Sequence, residues 1–243
     1  MVKSAAALGD ESPLSHNLLG QRLGRKGRDT RARILSATER VLADPATAFT
    51  LSAVAREAEL RITSLYLYFA DLSELLGAVL EPVMASAEES YVAELRQVWP
   101  DASLGEHCLR FVEAYYAFWQ RHTRVLHLRN SYADNGDWRM WRYRLAGSRP
   151  LASPLLEQME SDPQSFSSPA SFVVSALLIG IERMATTATD VRFPDLAGYA
   201  DPARPVAADP QAQVAGLIKA EAKIFELAIA HGRAEARGAA GRG

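Results

Sequence analysis

Between residues 30 and 43 the chain reads TRARILSATERVLA, with Ile34, Leu35, Thr38, Val41 and Leu42 at i, i+1, i+4, i+7 and i+8. That is the apolar stripe of an amphipathic helix. The stretch DPATAF breaks it, and Thr50 stands where an N-cap opens a short helix, LSAVAREA. ITSLYLYF predicts a third short helix a few residues on. ADLSELLGAVLEPVMASAEESYVAELRQVW then predicts a long helix, opened by Asp71 or Ser73 and kinked at Pro82.

DASLGEHCLRFVEAYYAFWQRH opens on Ser103-x-x-Glu106, the spacing of a capping box, and sets Phe111, Tyr115, Phe118, Trp119 and His122 on one face. RNSYADNGD predicts a turn around Asn135-Gly136, with Asp137 as N-cap of a helix from Trp138. Gly147, Pro150 and Pro154 are expected to disturb that helix, which fades by Ser161. After a Ser/Pro linker, PASFVVSALLIGIERMATTA predicts an apolar helix. Residues 189–209 hold three prolines without periodicity and read as a loose loop. PQAQVAGLIKAEAKIFELAIAHG predicts a last helix, with Val214, Leu217, Ile218, Ile224, Phe225 and Ala228 along one side. No segment alternates with period two, so the fold class is all-α. The expected organisation is a flexible basic arm over residues 1–28, a small helical domain over 29–76, a larger one over 77–232, and a disordered tail over 233–243.

A chain of 243 residues with 48% hydrophobic and 23% charged residues has the composition of a globular protein. The net charge of −2 neither suggests nor excludes nucleic acid, because distribution matters more than the total. Arg22, Arg25, Lys26, Arg28, Arg31 and Arg33 face only Asp29, a basic arm running into a helix start. A solvated helix face has the same composition. The single cysteine, Cys108, permits no disulfide and no thiolate metal cage within the chain, which suits a reducing cytoplasm. MVKSAAALGD has too short an apolar run for a secretory signal, and FVVSALLIGI falls far short of the ~20 residues of a membrane helix. The expectation is a soluble cytoplasmic protein with no membrane partner.

TSLYLYF packs two tyrosines, two leucines and a phenylalanine beside two further hydroxyls. A buried helix would favour Leu and Val over groups that each need a hydrogen-bond partner. A helix, a short helix, a tight turn and a third short helix within residues 30–69 is also the layout of a helix-turn-helix module, whose last helix enters the major groove. There the hydroxyls donate to phosphate oxygens and base edges. Leu65 and Phe69 are the expected inward anchors, with Thr63, Tyr66 and Leu67 outward. A core turn with satisfied tyrosines is the competing reading.

The order TRARILSATERVLA…FTLSAVAREAELRITSLYLYFADLSELLGAVL resembles the tetracycline-repressor (TetR) family of bacterial transcription regulators, from residue 30 to about residue 80. SLYLYF followed by LL is its most diagnostic part. The resemblance implies a homodimer that binds a double-stranded DNA operator and is released by a small-molecule effector. It implies that Thr50 presents the second helix to a phosphate, that Ser64 and Tyr68 contact phosphates, and that Thr63 and Tyr66 stand at or near bases. Ile62 or Leu67 would touch a thymine methyl. Three positions depart from the family pattern: Glu59 where the turn usually has Gly, Arg61 where Ser or Thr caps the recognition helix, and Leu72 where a lysine usually grips a phosphate. Arg61 and the basic residues Arg25, Lys26 and Arg28 are the expected compensation. A family member with weakened DNA affinity, binding effector or a protein partner, is the alternative these departures leave open.

An enzyme reading finds little. The five histidines form no H-x-x-x-H pair, and neither a G-x-S-x-G, a G-x-G-x-x-G nor a P-loop occurs. No catalytic residue, metal site or cofactor is therefore expected, and an all-α enzyme survives only through a pocket. Phe111, Tyr115, Trp119, Trp138 and Trp141 give neighbouring helices aromatic faces, with arginines 129, 139, 142, 144 and 149 close in sequence. Such stripes are often simply core. The family places its effector among these helices, so Phe111, Tyr115, Trp119, Trp138, Trp141 and Arg142 are the candidate effector contacts, for an apolar and acidic molecule. The last two helices are more apolar than a monomer's edge needs, and Ala176, Gly180 and Ala228 would allow the close approach of a second copy.

Overall fold

Ile34, Ala37, Thr38, Val41 and Leu42 all turn inward from α1 (Arg25–Ala43), the stripe read from the sequence. These positions come from a computed structural model, which describes residues 24–165, 167–193 and 209–241. Every regular element among them is helical, so the fold is all-α. The helix starts earlier than its apolar pattern: Arg25, Lys26 and Arg28 belong to its first turns and not to an arm. The Arg28 amide donates to the Gly24 carbonyl at 3.1 Å, and the Thr30 hydroxyl to the Lys26 carbonyl at 2.9 Å. Arg and Lys are good helix formers, which an apolar periodicity cannot register. The rest of the expected arm, residues 1–23, lies outside the described residues.

The chain divides into two compact units, Met1–Val79 and Leu80–Gly243. In the first, α2 (Leu51–Glu57) is capped by Thr50, whose hydroxyl accepts from the Ala53 amide at 3.1 Å. It ends in a Schellman turn: the Leu60 amide donates to Ala55 O at 2.8 Å and the Glu59 amide to Arg56 O at 3.1 Å. Glu59 occupies the left-handed position of that turn, at φ 54°. Then α3 (Ile62–Leu65) makes a single α turn, and residues 66–68 continue as turn. Leu65 and Phe69 are fully buried beside Ile34, Val54 and Leu75. The helix α4 (Leu72–Ser90) opens on Asp71, whose Oδ1 accepts from the Glu74 amide at 2.8 Å, while Glu74 Oε2 accepts from the Ala70 amide at 2.7 Å. It runs through Pro82 and stops at Ser90, nine residues before the expected end at Trp99; a short 3-10 turn, Val92–Leu95, follows. The division between units falls inside α4, between Val79 and Leu80.

In the second unit α5 (Leu104–Arg121) buries Phe111, Tyr115, Phe118 and Trp119 along one face. Ser103 stands at its N-cap but makes no side-chain cap, so the expected capping box does not form; a 3-10 turn, Asp101–Ser103, leads into the helix instead. The expected turn at residues 129–137 is mostly helix: α6 (Thr123–Asp134) buries Val125, Leu126, Arg129, Asn130 and Ala133. The stripe is helical in spacing, but two of its members are polar, so hydropathy does not mark it. Asp137 then caps α7 (Trp138–Gln158), accepting from the Arg139 and Met140 amides. That helix passes through Pro150 and Pro154 without a break, held by buried Leu151, Leu155, Leu156 and Gln158. Tertiary packing here outweighs two lost backbone donors.

Below these lie α8 (Pro169–Ala188), capped by Ser168, and α9 (Pro210–Ala240). α5 packs along α9, α8 packs on α9 and α7, and α6 packs on α7. Residues 233–240, expected as a disordered tail, are the last turns of α9. Arg233 is 3% exposed: its Nε donates to the Gln158 carbonyl at 2.7 Å, Nη2 to Gln158 Oε1 at 3.2 Å and Nη1 to Asp101. Most of the expected loop at 189–209 lies outside the described residues. By length and composition α8 could span a membrane, contrary to the reading of its apolar core as too short. Its Ser171, Ser175 and Thr186 hydroxyls bond back to the carbonyls of the preceding turn, so these residues interrupt the apolar run without presenting free polar groups.

Candidate functional site

The N-terminal unit turns its hydroxyl-rich segment outward. Tyr66 is 49% and Leu67 47% exposed, and Thr63 and Arg61 are exposed as well. Ser64 and Tyr68 are half-buried, and Tyr68 packs on the apolar core. Ile62 also packs there, so of the two residues proposed to touch a thymine methyl only Leu67 is presented to solvent. Thr50 is exposed, but its hydroxyl is engaged as the cap of α2. Arg61 fills the N-cap position of α3 without a side-chain cap. Leu72, in place of the lysine, packs against the core and adds no charge to the start of α4.

On α1 the Arg31 guanidinium lies over the Phe69 ring at 5.0 Å, which sets the early turns of that helix beside the end of the TSLYLYF segment. Arg25, Lys26 and Arg28, all exposed, stand in those turns. Thr63 and Tyr66 thus present hydroxyls to solvent, Leu67 an apolar side chain, and Arg25, Lys26 and Arg28 cations.

The C-terminal unit buries some of its charged groups, among them Arg129, Glu221 and Arg233. Arg129 on α6 is 4% exposed and donates to Glu182 Oε1 on α8 at 2.9 Å and to Asn130 Oδ1 at 3.0 Å. Asn130 also donates to Glu182 Oε1, and Arg144 of α7 donates to both Glu182 oxygens at 3.1 Å and to Asp134 at 2.8 Å. The Arg129 guanidinium lies 5.5 Å from the centre of the Trp119 ring. Burial pulls Arg129 down from its usual value against the opposing influence of Glu182, and burial pushes the Tyr91 phenol up to about 12. Beside this network is a small, partly open cavity of about 20 Å³, walled by Tyr91, Tyr115, Phe118, Trp119 and Leu151.

Of the candidate effector contacts, Tyr115 and Trp119 line this cavity, and Phe111 is buried against Phe225 at 5.5 Å. Trp138, Trp141 and Arg142 do not: Trp138 is 62% and Trp141 52% exposed, and Arg142 lies over the Trp138 ring on the outer side of α7. Their i, i+3, i+4 spacing marks a common helix face but not which way it points. Glu182 and Asn130 are the members that sequence reasoning missed, because a polar residue in an apolar stripe reads as an interruption. A wider groove of about 520 Å³, with Tyr116, Val214 and Ile218 in its wall, is lined by none of the candidate residues and runs up to the undescribed segment.

Burial, with Glu226 adding to it, pushes the Cys108 thiol up to about 12, far from a reactive thiolate. His127 Nε2 lies 2.9 Å from the Thr189 hydroxyl, and burial lowers its affinity for a proton. Among the described residues no three His, Cys, Asp or Glu side chains gather closely enough to hold a metal ion.

No protein-family model matches the chain, and no curated protein matches it. Among solved structures it is similar to a Streptomyces coelicolor A3(2) protein whose proposed role is that of a transcriptional regulator. The two are 21% identical over 86% of this chain and 99% of the other, with a TM-score of 0.39. From so loose a likeness neither mechanism nor partner is carried over.

Proposed function

We propose that the chain is a ligand-responsive transcriptional regulator of the TetR type, most simply a cytoplasmic repressor that binds a two-fold DNA operator as a homodimer and leaves it when a small molecule binds. The observation that carries this reading is the α2–turn–α3 unit, with Leu65 and Phe69 buried and Thr63, Tyr66 and Leu67 turned to solvent. Tyr66, Leu67, Thr63 and Arg61 would enter the major groove. Thr50, Ser64 and Tyr68, with Arg25, Lys26 and Arg28, would meet the phosphates.

The dimer rests on α8 and α9. Phe172 and Ile179 on α8 are 65% and 70% exposed, and Ile224 and Leu227 on α9 are 52% and 58% exposed. Two such faces joined across a two-fold axis make a four-helix bundle and set two reading heads about one DNA turn, ~34 Å, apart. Gly180 serves the single chain instead: a Cβ there would meet Glu221 of α9 at 3.1 Å. The same apolar face is what lets α8 pass as a membrane helix, and a dimer would cover it. Ala176→Asp on that face would leave an unpaired charge in the bundle and yield monomers by light scattering. A wild-type chain that is monomeric at micromolar concentration, or that partitions into vesicles, contradicts the dimer.

For release, α4 carries Leu72 into the core of the first unit and Met84 into the cavity wall of the second. Occupation of the cavity would bias α4 between two positions and so shift the population competent for DNA. The deciding experiment is a titration of the DNA flanking the chain's own gene against random duplex, across a range of salt. Substituting Arg25, Lys26 and Arg28 together by Ala should flatten the slope of log affinity against log salt by about 2–3, at roughly 0.9 per phosphate contact. A chain that shows no preference for its own flanking DNA would refute the repressor reading. The inward-packed Leu72 supports the second reading, of a family member with weakened DNA affinity, which equal and weak binding to both DNAs would favour.

A further inference from the structure

The five donors of Arg129 are unequally served. Nε meets an amide oxygen and Nη2 a carboxylate, but the partner of Nη1 is the Met84 thioether at 3.8 Å, a weak acceptor. That guanidinium borders the small cavity, whose 20 Å³ or so holds about one water. Gly147 stands opposite, within α7, where glycine is a poor helix former. A Cβ on it would lie 2.9 Å from Met84 Cε and 3.4 Å from Arg129 Nη1. The space beside Nη1 is therefore filled by the end of one unbranched, flexible side chain. The local charge is also uneven. Arg129 and Arg144 share the single carboxylate of Glu182, whose side chain is 17% exposed, while Asp134, the other partner of Arg144, is 68% exposed. Of the two carboxylates in the set, only Glu182 reaches Arg129.

We propose that Met84 is a displaceable plug over a carboxylate subsite, and that the effector is a small monocarboxylate with an apolar body. Its carboxylate accepts from Arg129 Nη1 once Met84 swings aside, and its body lies against Tyr115, Phe118 and Trp119. A planar carboxylate suits the guanidinium fork, and one negative charge completes the set without opposing Glu182 as strongly as a phosphate dianion would. This rests on the effector-binding reading above and narrows it, setting aside large phosphorylated carriers.

The test uses the full-length chain and three probes: phenylacetate, octanoate and the neutral isostere phenylacetamide. Binding is read as the thermal shift and as the quenching of tryptophan emission, Trp119 lying against Arg129. Both carboxylates should bind, and the amide at least tenfold more weakly than phenylacetate. Met84→Ala should tighten carboxylate binding at least fivefold by removing the plug. Gly147→Ala, with its unliganded melting temperature held or raised, should weaken it at least tenfold, because its methyl stands where the ligand must enter. Equal affinity for acid and amide, no binding by either wild type or Met84→Ala, or a Gly147→Ala protein that binds like wild type would each overturn the proposal. Operator binding is scored separately. A chain that binds DNA and no carboxylate overturns this inference alone, whereas one that binds carboxylates and no DNA overturns the regulator reading alone.

Discussion

The first unit buries apolar groups, with only Thr38 and Ser73 among its buried polar residues, and turns arginines and hydroxyls outward. The second buries Arg129, Asn130, Gln158, Glu221 and Arg233 and leaves Phe172, Ile179 and Ile224 outside. Polar groups on a surface can meet a long, charged partner at little desolvation cost. Buried ones must first satisfy each other. The two units also end a helix in the same way, with opposite provision for it. Glu59 and Glu160 both occupy the left-handed position of a Schellman turn, at φ 54° and 55°. Glu160 is held by the Arg237 guanidinium, whereas the Glu59 carboxylate has no partner among the described residues.

The largest effect expected from this contrast is at Arg233. Arg233→Ala takes the Arg233 donor from the buried Gln158 carbonyl, leaves Gln158 Oε1 with the Trp99 amide alone, and empties the space of a long stem. It should cost roughly 2–4 kcal/mol in urea unfolding, while Arg25→Ala on the first unit's surface costs almost nothing. Next come Thr63→Ala and Tyr66→Ala. They should narrow the gap between operator and random DNA by about 1–3 kcal/mol per lost base contact and leave the unfolding curve in place. A preserved sequence preference in Tyr66→Ala would remove that residue from the reading surface.

Smaller is Glu59→Gly, which should stabilise the chain by about 1 kcal/mol by relieving the left-handed strain. The matching Glu160→Gly should gain less, because it also gives up the Arg237 contact; equal gains would mean that contact contributes nothing. Smallest is Glu221. Burial raises its folded pKa above the unfolded value, so the folded state holds a proton that the unfolded state gives up. Stability from this group is complete below the ordinary glutamate range, around pH 4, and is lost as pH rises through the raised folded pKa. Glu221→Gln should therefore unfold later than wild type at pH 7, and the difference should vanish in acid.

How much of this was legible in the sequence follows the same division. Ile34 to Leu42 are apolar at helical spacing and are buried, and Leu65 and Phe69 point inward as their four-residue separation required. Thr50 and Asp137 cap helices as their residue types suggest. In the second unit the reading failed at several places where a charged or polar residue packs inside. Arg129 and Asn130 hid α6 within what looked like a turn, and Arg233 hid the last turns of α9 within what looked like a tail. Pro150 and Pro154 suggested a break that buried leucines prevent. Hydropathy assigns each residue a solvent preference of its own, and these positions owe their burial to partners 50 to 130 residues away, such as Glu182 for Arg129 and Asp101 for Arg233.

The Arg233 clasp also sets an order of events during synthesis. Every buried contact of the first unit lies among residues that have left the ribosome before the second unit's last helix is made. The bond from Arg233 to Asp101 spans 132 residues and cannot form until the end of α9 emerges. At ordinary elongation rates the interval is on the order of ten seconds. Throughout it α5 and α8 lack their α9 neighbour. Stalled products ending between α8 and α9 should therefore aggregate more readily than the finished chain.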